Sequence, residues 1–145
     1  MALTRAIVDP LLLARIGELY KRIGKNGTTA DGTNADLAVA LGWALRRLGG
    51  TATTFGGCTN TDLATLPSNR EDAFLDVAEL RCLMDAQTSI VGGKITVGPV
   101  TEDNSTFAAQ LAETIKAKQA AITRDYGSMI NPPIDTDVEV ELLAI

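Results

Sequence analysis

Asp72, Asp76 and Glu79 recur at intervals of four and three, which puts three carboxylates on one ridge of a helix. Carboxylates so placed could bind a divalent cation. Calcium and magnesium, however, need oxygen ligands converging from several directions, and a single ridge offers one direction only. A solvated helical face is the expectation. Asp31-Gly32-Thr33-Asn34-Ala35-Asp36 contains the residue types of a calcium loop. Its ligand order and glycine position differ from the EF-hand pattern, and the closing Glu is missing. No metal site is expected from either.

The chain contains no histidine, so the commonest general base and the commonest zinc ligand are both missing. Ser68, Ser89 and Ser128 have no imidazole to activate them, and no Ser-x-x-Lys sequence offers a lysine instead. Gly49-Gly50, Gly56-Gly57 and Gly92-Gly93 lack the spacing and context of a phosphate-binding loop. Cys58 and Cys82 are the only cysteines, too few for a structural zinc site. Cys82 reads as a small buried hydrophobe rather than half of a disulfide. Neither catalysis nor a cofactor is expected.

Lys21, Arg22 and Lys25 form one basic cluster, and Arg46-Arg47 a second pair. Both lie near expected helix C-termini, where cations offset the macrodipole, and they could also meet an acidic partner surface. With a net charge of −5 and a pI near 4.6, the chain as a whole is unsuited to non-specific nucleic-acid binding.

These residues must be positioned by a scaffold of 145 residues, which fits one domain with a modest core. Hydrophobic residues make up 46% but aromatics only 4%, so small and aliphatic side chains must fill that core. Such a composition favours helices over a β-sandwich. No apolar stretch is long enough to span a bilayer, and Met-Ala-Leu-Thr-Arg lacks a signal peptide's apolar region. A soluble protein made in a cytosol, with no membrane partner, is expected.

Asp9 as N-cap and Pro10 at the first helical position predict one helix start. Leu12, Ile16, Leu19 and Ile23 then share a stripe that ends at Gly24. A second helix, capped by Thr33 or Asn34, runs to Gly49-Gly50. Leu37, Leu41, Leu45 and Leu48 form its buried stripe, but Val39 and Trp43 sit on roughly the opposite side. A helix apolar on both sides is usually buried on both. Trp43 either closes over a loop of the same chain or packs across a subunit boundary, where large aromatics are enriched.

Residues 50–67 are rich in Thr and Gly, with one helical turn predicted at 62–65. The segment is long for a connector, and is expected to be mobile or shaped by a partner. Ser68-Asn69-Arg70-Glu71 is a capping box that predicts a helix from Ser68 to about Ser89. Phe74, Leu75, Val77, Ala78, Leu80, Cys82 and Met84 cover most of its circumference. That arc exceeds what a solitary small bundle must bury. After Gly92-Gly93 comes a short β-like run, Lys94-Ile95-Thr96-Val97. The last helix begins near Asn104 or Ser105, carries Phe107, Leu111, Ile115 and Ile122 on its buried stripe, and ends at a left-handed Gly127.

From Ile134 the period becomes two. Ile134, Val138, Val140 and Leu142 point one way, and Asp135, Asp137, Glu139 and Glu141 the other. Such alternation predicts a strand, pairing with the run at 94–97 or completing a sheet in a neighbour or partner, with a frayed, disordered terminus as the alternative. The expected architecture is mainly α, a small bundle of about four helices over residues 1–127 with a short β-like connector. An extended C-terminal arm occupies 128–145. Val39, Trp43, Ile134, Val138, Val140 and Leu142 are the expected subunit or partner contacts.

Three blocks carry a family resemblance: Leu75-Asp76-Val77-Ala78-Glu79-Leu80-Arg81, Ile95-Thr96-Val97-Gly98-Pro99, and Leu111-Ala112-Glu113 through Arg124-Asp125-Tyr126-Gly127. From Asp72 onward the chain resembles the small head–tail connector proteins of tailed bacteriophages, the adaptors that dock beneath the portal. The blocks cover a little under half of the chain, and their motifs are structural. The resemblance implies a virion subunit, made in the host cytoplasm, that forms a dodecameric homo-oligomer ring on the portal protein. Such a ring extends the channel for genomic DNA, without sequence-specific binding, and presents a docking surface to the stopper or tail. Extended arms in this family grip the portal or a neighbour. An acidic balance suits such a channel, because negative walls repel phosphates. The residues also fit another neck or tail-completion component, or a small cytosolic helical regulator.

Overall fold

A computed structural model describes residues 3–53, 56–91 and 103–130 of the chain. Within them lie α1 (Arg5–Arg22), α2 (Ala35–Arg47), the short α3 (Asn60–Leu63), α4 (Glu71–Val91) and α5 (Asp103–Tyr126), and no strand. The mainly α architecture expected from composition and periodicity is therefore found. The β-like run at 94–97 and the arm residues Ile134, Val138, Val140 and Leu142 fall outside the described residues.

The centre of the bundle is α4, which packs against α1, α2 and α5. Contacts along it fix the directions. Arg15 of α1 reaches Asp76 and Glu79, and Tyr20 lies beside Cys82, so α1 runs parallel to α4. Trp43 stands near Arg81, while the Leu48 carbonyl meets Arg70, so α2 runs antiparallel. Lys118 meets Asp76, and Phe107 lies under Arg22 at the other end, so α5 is antiparallel as well. Phe74, Val77, Ala78, Leu80 and Cys82 are all fully buried. A helix enclosed by three others is apolar nearly all round because it is covered nearly all round. Most of the surplus expected on this helix is thus taken up by its own chain, with Leu75 and Met84 left half-buried.

α1 starts at Arg5, four residues before the expected Asp9 cap, and Pro10 lies inside it. Asp9 is no cap. Its fully buried carboxylate takes the Arg5 guanidinium in two hydrogen bonds, of 2.7 and 3.0 Å. The same guanidinium donates to the carbonyls of Cys58, at 2.8 Å, and Asn34, at 3.0 Å. Asn60 Oδ1 accepts from the Arg5 amide at 2.7 Å and so caps the helix from a distant segment. Pro10 forfeits one helical hydrogen bond, but a first turn held from outside by these contacts persists.

Asn34 caps α2 as expected, its side chain accepting from the amides of Asp36 and Leu37. Leu37, Leu41, Leu45 and Leu48 are completely buried. Gly42 lets the helix approach the connector, since a Cβ there would lie 2.6 Å from the Gly57 carbonyl oxygen. Gly49 ends the segment in the left-handed region at φ 91°.

The connector is shaped by the chain itself. Its helical turn falls at Asn60–Leu63, earlier than expected, with Thr59 and Asp62 forming a capping box. Asp62 also accepts from the Thr53 amide and hydroxyl, and Thr65 Oγ1 from the Thr51 amide at 2.8 Å. Leu63 and Leu66 are buried. The Ser68 capping box does not form. Ser68–Arg70 is a 3-10 turn without a side-chain cap, and α4 begins at Glu71. Arg70 instead spends its guanidinium on the carbonyls of Leu48 and Met129.

On α5, Leu111, Ile115 and Ile122 are buried as expected. Gln119 is fully buried beside them, and neither of its side-chain polar atoms has a hydrogen-bond partner among the described residues. Gly127 is not left-handed: the helix tightens into a 3-10 turn, Gly127–Met129, and Ile130 returns to the core at 4% exposure.

Candidate functional site

Two positions one turn apart on α2, Val39 and Trp43, face outward. Val39 is 37% exposed and Trp43 half-buried. The Arg47 guanidinium lies 3.9 Å from the Trp43 ring centroid, because residues four apart on a helix are neighbours. Arg81 approaches the same ring from α4 at 5.5 Å and pairs with Asp85 at 2.9 Å. Val39, Trp43, Arg46, Gly56 and Arg81 line a recess of about 360 Å³. Trp43 is therefore covered by arginines of its own chain on part of its surface, while the remainder faces the recess. Guanidiniums on indole favour this arrangement by about 0.5–1 kcal/mol each where water has access.

A second outward apolar pair was not legible as such in the chain. Ile7 and Leu11 of α1 are 36% and 48% exposed, four residues apart and off the buried stripe of Val8, Leu12 and Ile16. The signal for it was present, namely apolar residues at helical spacing beside a stripe already complete without them. Starting the helix at Pro10 hid it.

The acidic ridge is not a solvated face. Arg15 Nη1 lies 2.9 Å from Asp76 and 3.0 Å from Glu79, and Lys118 Nζ reaches the same two carboxylates at 3.0 and 3.1 Å. Asp76 and Glu79 thus tie α4 to α1 on one side and α5 on the other, leaving Asp72 exposed. Burial acts most strongly on Asp76 and pushes its pKa up. The hydrogen bonds and charges of Lys118 and Arg15 together outweigh burial and hold it below the ordinary 3.8. A depressed folded-state pKa stabilises the protein above the unfolded value, and that stabilisation is lost as pH falls through the folded one. Urea unfolding of Asp76→Asn against the parent should therefore show a deficit at neutral pH. The deficit should close on acidification below 3.8, and one that persists there would place the effect in packing instead.

Both thiols are free and buried. Burial pushes Cys58 up to about 11 and Cys82 up to about 12, so neither supplies a thiolate nucleophile near neutral pH. Cys82 is the small buried hydrophobe expected, beside a Tyr20 hydroxyl that makes no well-aligned hydrogen bond to it. Among the described residues, no group of three or more Cys, Asp or Glu is placed to hold a metal ion, and no helix is long and apolar enough to cross a membrane. What the arrangement offers is contact: an aromatic–arginine recess on α2 and an aliphatic pair on α1.

No protein-family model matches this chain, and neither a curated protein nor a solved structure matches it.

Proposed function

We propose that this chain is a virion structural subunit, a head–tail adaptor that assembles as a ring on the portal at the capsid–tail junction. The ring extends the DNA channel and offers the stopper or tail a docking surface. One observation carries the proposal. Each subunit leaves two different apolar pairs outward on different helices, Ile7 with Leu11 and Val39 with Trp43. A head-to-tail contact joins two unlike patches on neighbouring copies and gives a ring where the rotation closes, or an open filament where it does not, whereas a two-fold dimer uses one patch twice. The resemblance of the 75–81, 95–99 and 111–127 blocks to phage adaptors supports the same assembly.

Leu11→Asp tests it. An exposed substitution should leave folding within about 0.5 kcal/mol of the parent. Mixed with purified portal protein, the parent should form rings visible by electron microscopy, and the variant should not. Rings that form equally well would remove α1 from the interface. A chain missing from purified particles and dimeric in solution would be the cytosolic regulator instead.

A further inference from the structure

We infer that α5 opens from α4 as a unit, at the buried Gln119, while α1, α2 and α4 stay folded. Its one-sided seat, its polar defect and the solvation of its ionic tie mark it as the helix that lets go first.

Among the described elements, α4 packs against α1, α2 and α5, whereas α5 packs against α4 and the Gly127–Met129 turn that continues it. Arg22, 3.9 Å over the Phe107 ring, adds a touch from α1. Leu111, Ile115, Gln119 and Ile122 are the buried row of α5, and Glu113, Lys116, Ala120 and Thr123 are exposed. A helix that buries one stripe holds to its bundle chiefly through that stripe. Only three members of this row are apolar. α1 buries Val8, Leu12, Ile16, Tyr20 and Ile23, and the α2 row of Leu37, Leu41, Leu45 and Leu48 is aliphatic throughout.

The defect sits within the row. Neither Nε2 nor Oε1 of Gln119 has a hydrogen-bond partner among the described residues. Tyr20 and Gln87 each hide one unpartnered oxygen, but on helices with a longer apolar row to offset it. With α5 seated, both Gln119 atoms are cut off from water, and when it lifts away both are solvated. That gain offsets part of the cost of opening. The tie from Lys118 to Asp76 and Glu79 opposes it weakly. These side chains are 21%, 25% and 18% exposed, so water can take the place of Lys118, and Arg15 stays on both carboxylates. Opening therefore uncovers Leu111, Ile115 and Ile122 and leaves the Arg5–Asp9 pair and the packing among α1, α2 and α4 in place.

Hydrogen exchange of the full-length chain, followed amide by amide at low denaturant, tests this with two variants. Gln119→Met keeps a straight side chain and removes both polar atoms, so exchange over residues 111–122 should slow about tenfold. Ile16→Val weakens the packing of α1, which the open form retains. Exchange in α1 should then quicken about two- to twelvefold, while that of residues 111–122 stays at the parent rate. Equal quickening in both would show that α5 leaves only when the whole bundle unfolds. Unchanged exchange in Gln119→Met would show that the buried amide is no weak point. Either result overturns the inference. No portal is present, so the outcome does not depend on ring assembly.

Discussion

Asp9→Ala should lower the unfolding free energy by about 3–5 kcal/mol, the usual cost of removing one partner from a buried ion pair. The Asp9 side chain is 0% exposed and that of Arg5 7%, so solvent cannot replace the lost carboxylate. The guanidinium would remain fixed by the carbonyls of Cys58 and Asn34, now as an uncompensated buried charge. Most single-domain proteins hold only about 5–15 kcal/mol in total, so the variant should melt early or fail to fold at growth temperature. Urea denaturation would measure the loss. The control is Arg5→Met with Asp9→Leu, which removes both charges and keeps the volume. Because neither charge is then stranded, the double variant should lose less than the two single changes summed. Additive losses would show that Arg5 and Asp9 act separately, through their other contacts.

Phe74→Ala should cost about 3–5 kcal/mol, whereas Trp43→Ala should cost only about 1–2 kcal/mol despite the larger side chain. Phe74 is fully enclosed on α4, so truncation leaves a cavity that three packed helices cannot collapse. Trp43 is half-buried on one side under Arg47 and Arg81, and removing it mainly uncovers two arginines that water can solvate. Equilibrium unfolding of the two variants side by side decides the matter. If Trp43→Ala unfolds the monomer as severely as Phe74→Ala, Trp43 belongs to the core and its outward face has no role to explain. If it folds but fails to assemble on portal, the interface assignment gains directly.

Periodicity was legible for most positions of each regular stripe, although Leu19 and Phe107, expected on two of them, are only half-buried. Leu12, Ile16 and Ile23, then Leu37, Leu41, Leu45 and Leu48, then Leu111, Ile115 and Ile122 are all buried as their spacing predicts. The Asn34 cap was legible for the same reason, since its partners are its own neighbours in sequence. Long-range polar contacts were not. Asp9-Pro10 has the local form of a helix start, yet Arg5, Cys58, Asn34 and Asn60 converge and draw the helix back to Arg5. Likewise the Ser68 box lost its role once Arg70 was recruited to the carbonyls of Leu48 and Met129.

The candidate face was half legible. Val39 and Trp43 announced a second apolar side on α2, but nothing local placed Arg81 above the indole or separated Ile7 and Leu11 from the stripe beside them. The chain alone determined its helical character, its buried stripes and the residue types on offer, because these depend on local spacing and composition. Tertiary structure decided which apolar arcs were consumed. α4 lies between three helices and hides most of its arc, with Leu75 and Met84 half-buried, whereas α1 and α2 lie at the periphery and leave Ile7, Leu11 and Val39 exposed. Position in the bundle, set by contacts between residues far apart in sequence, converts the same apolar side chain into core or into surface.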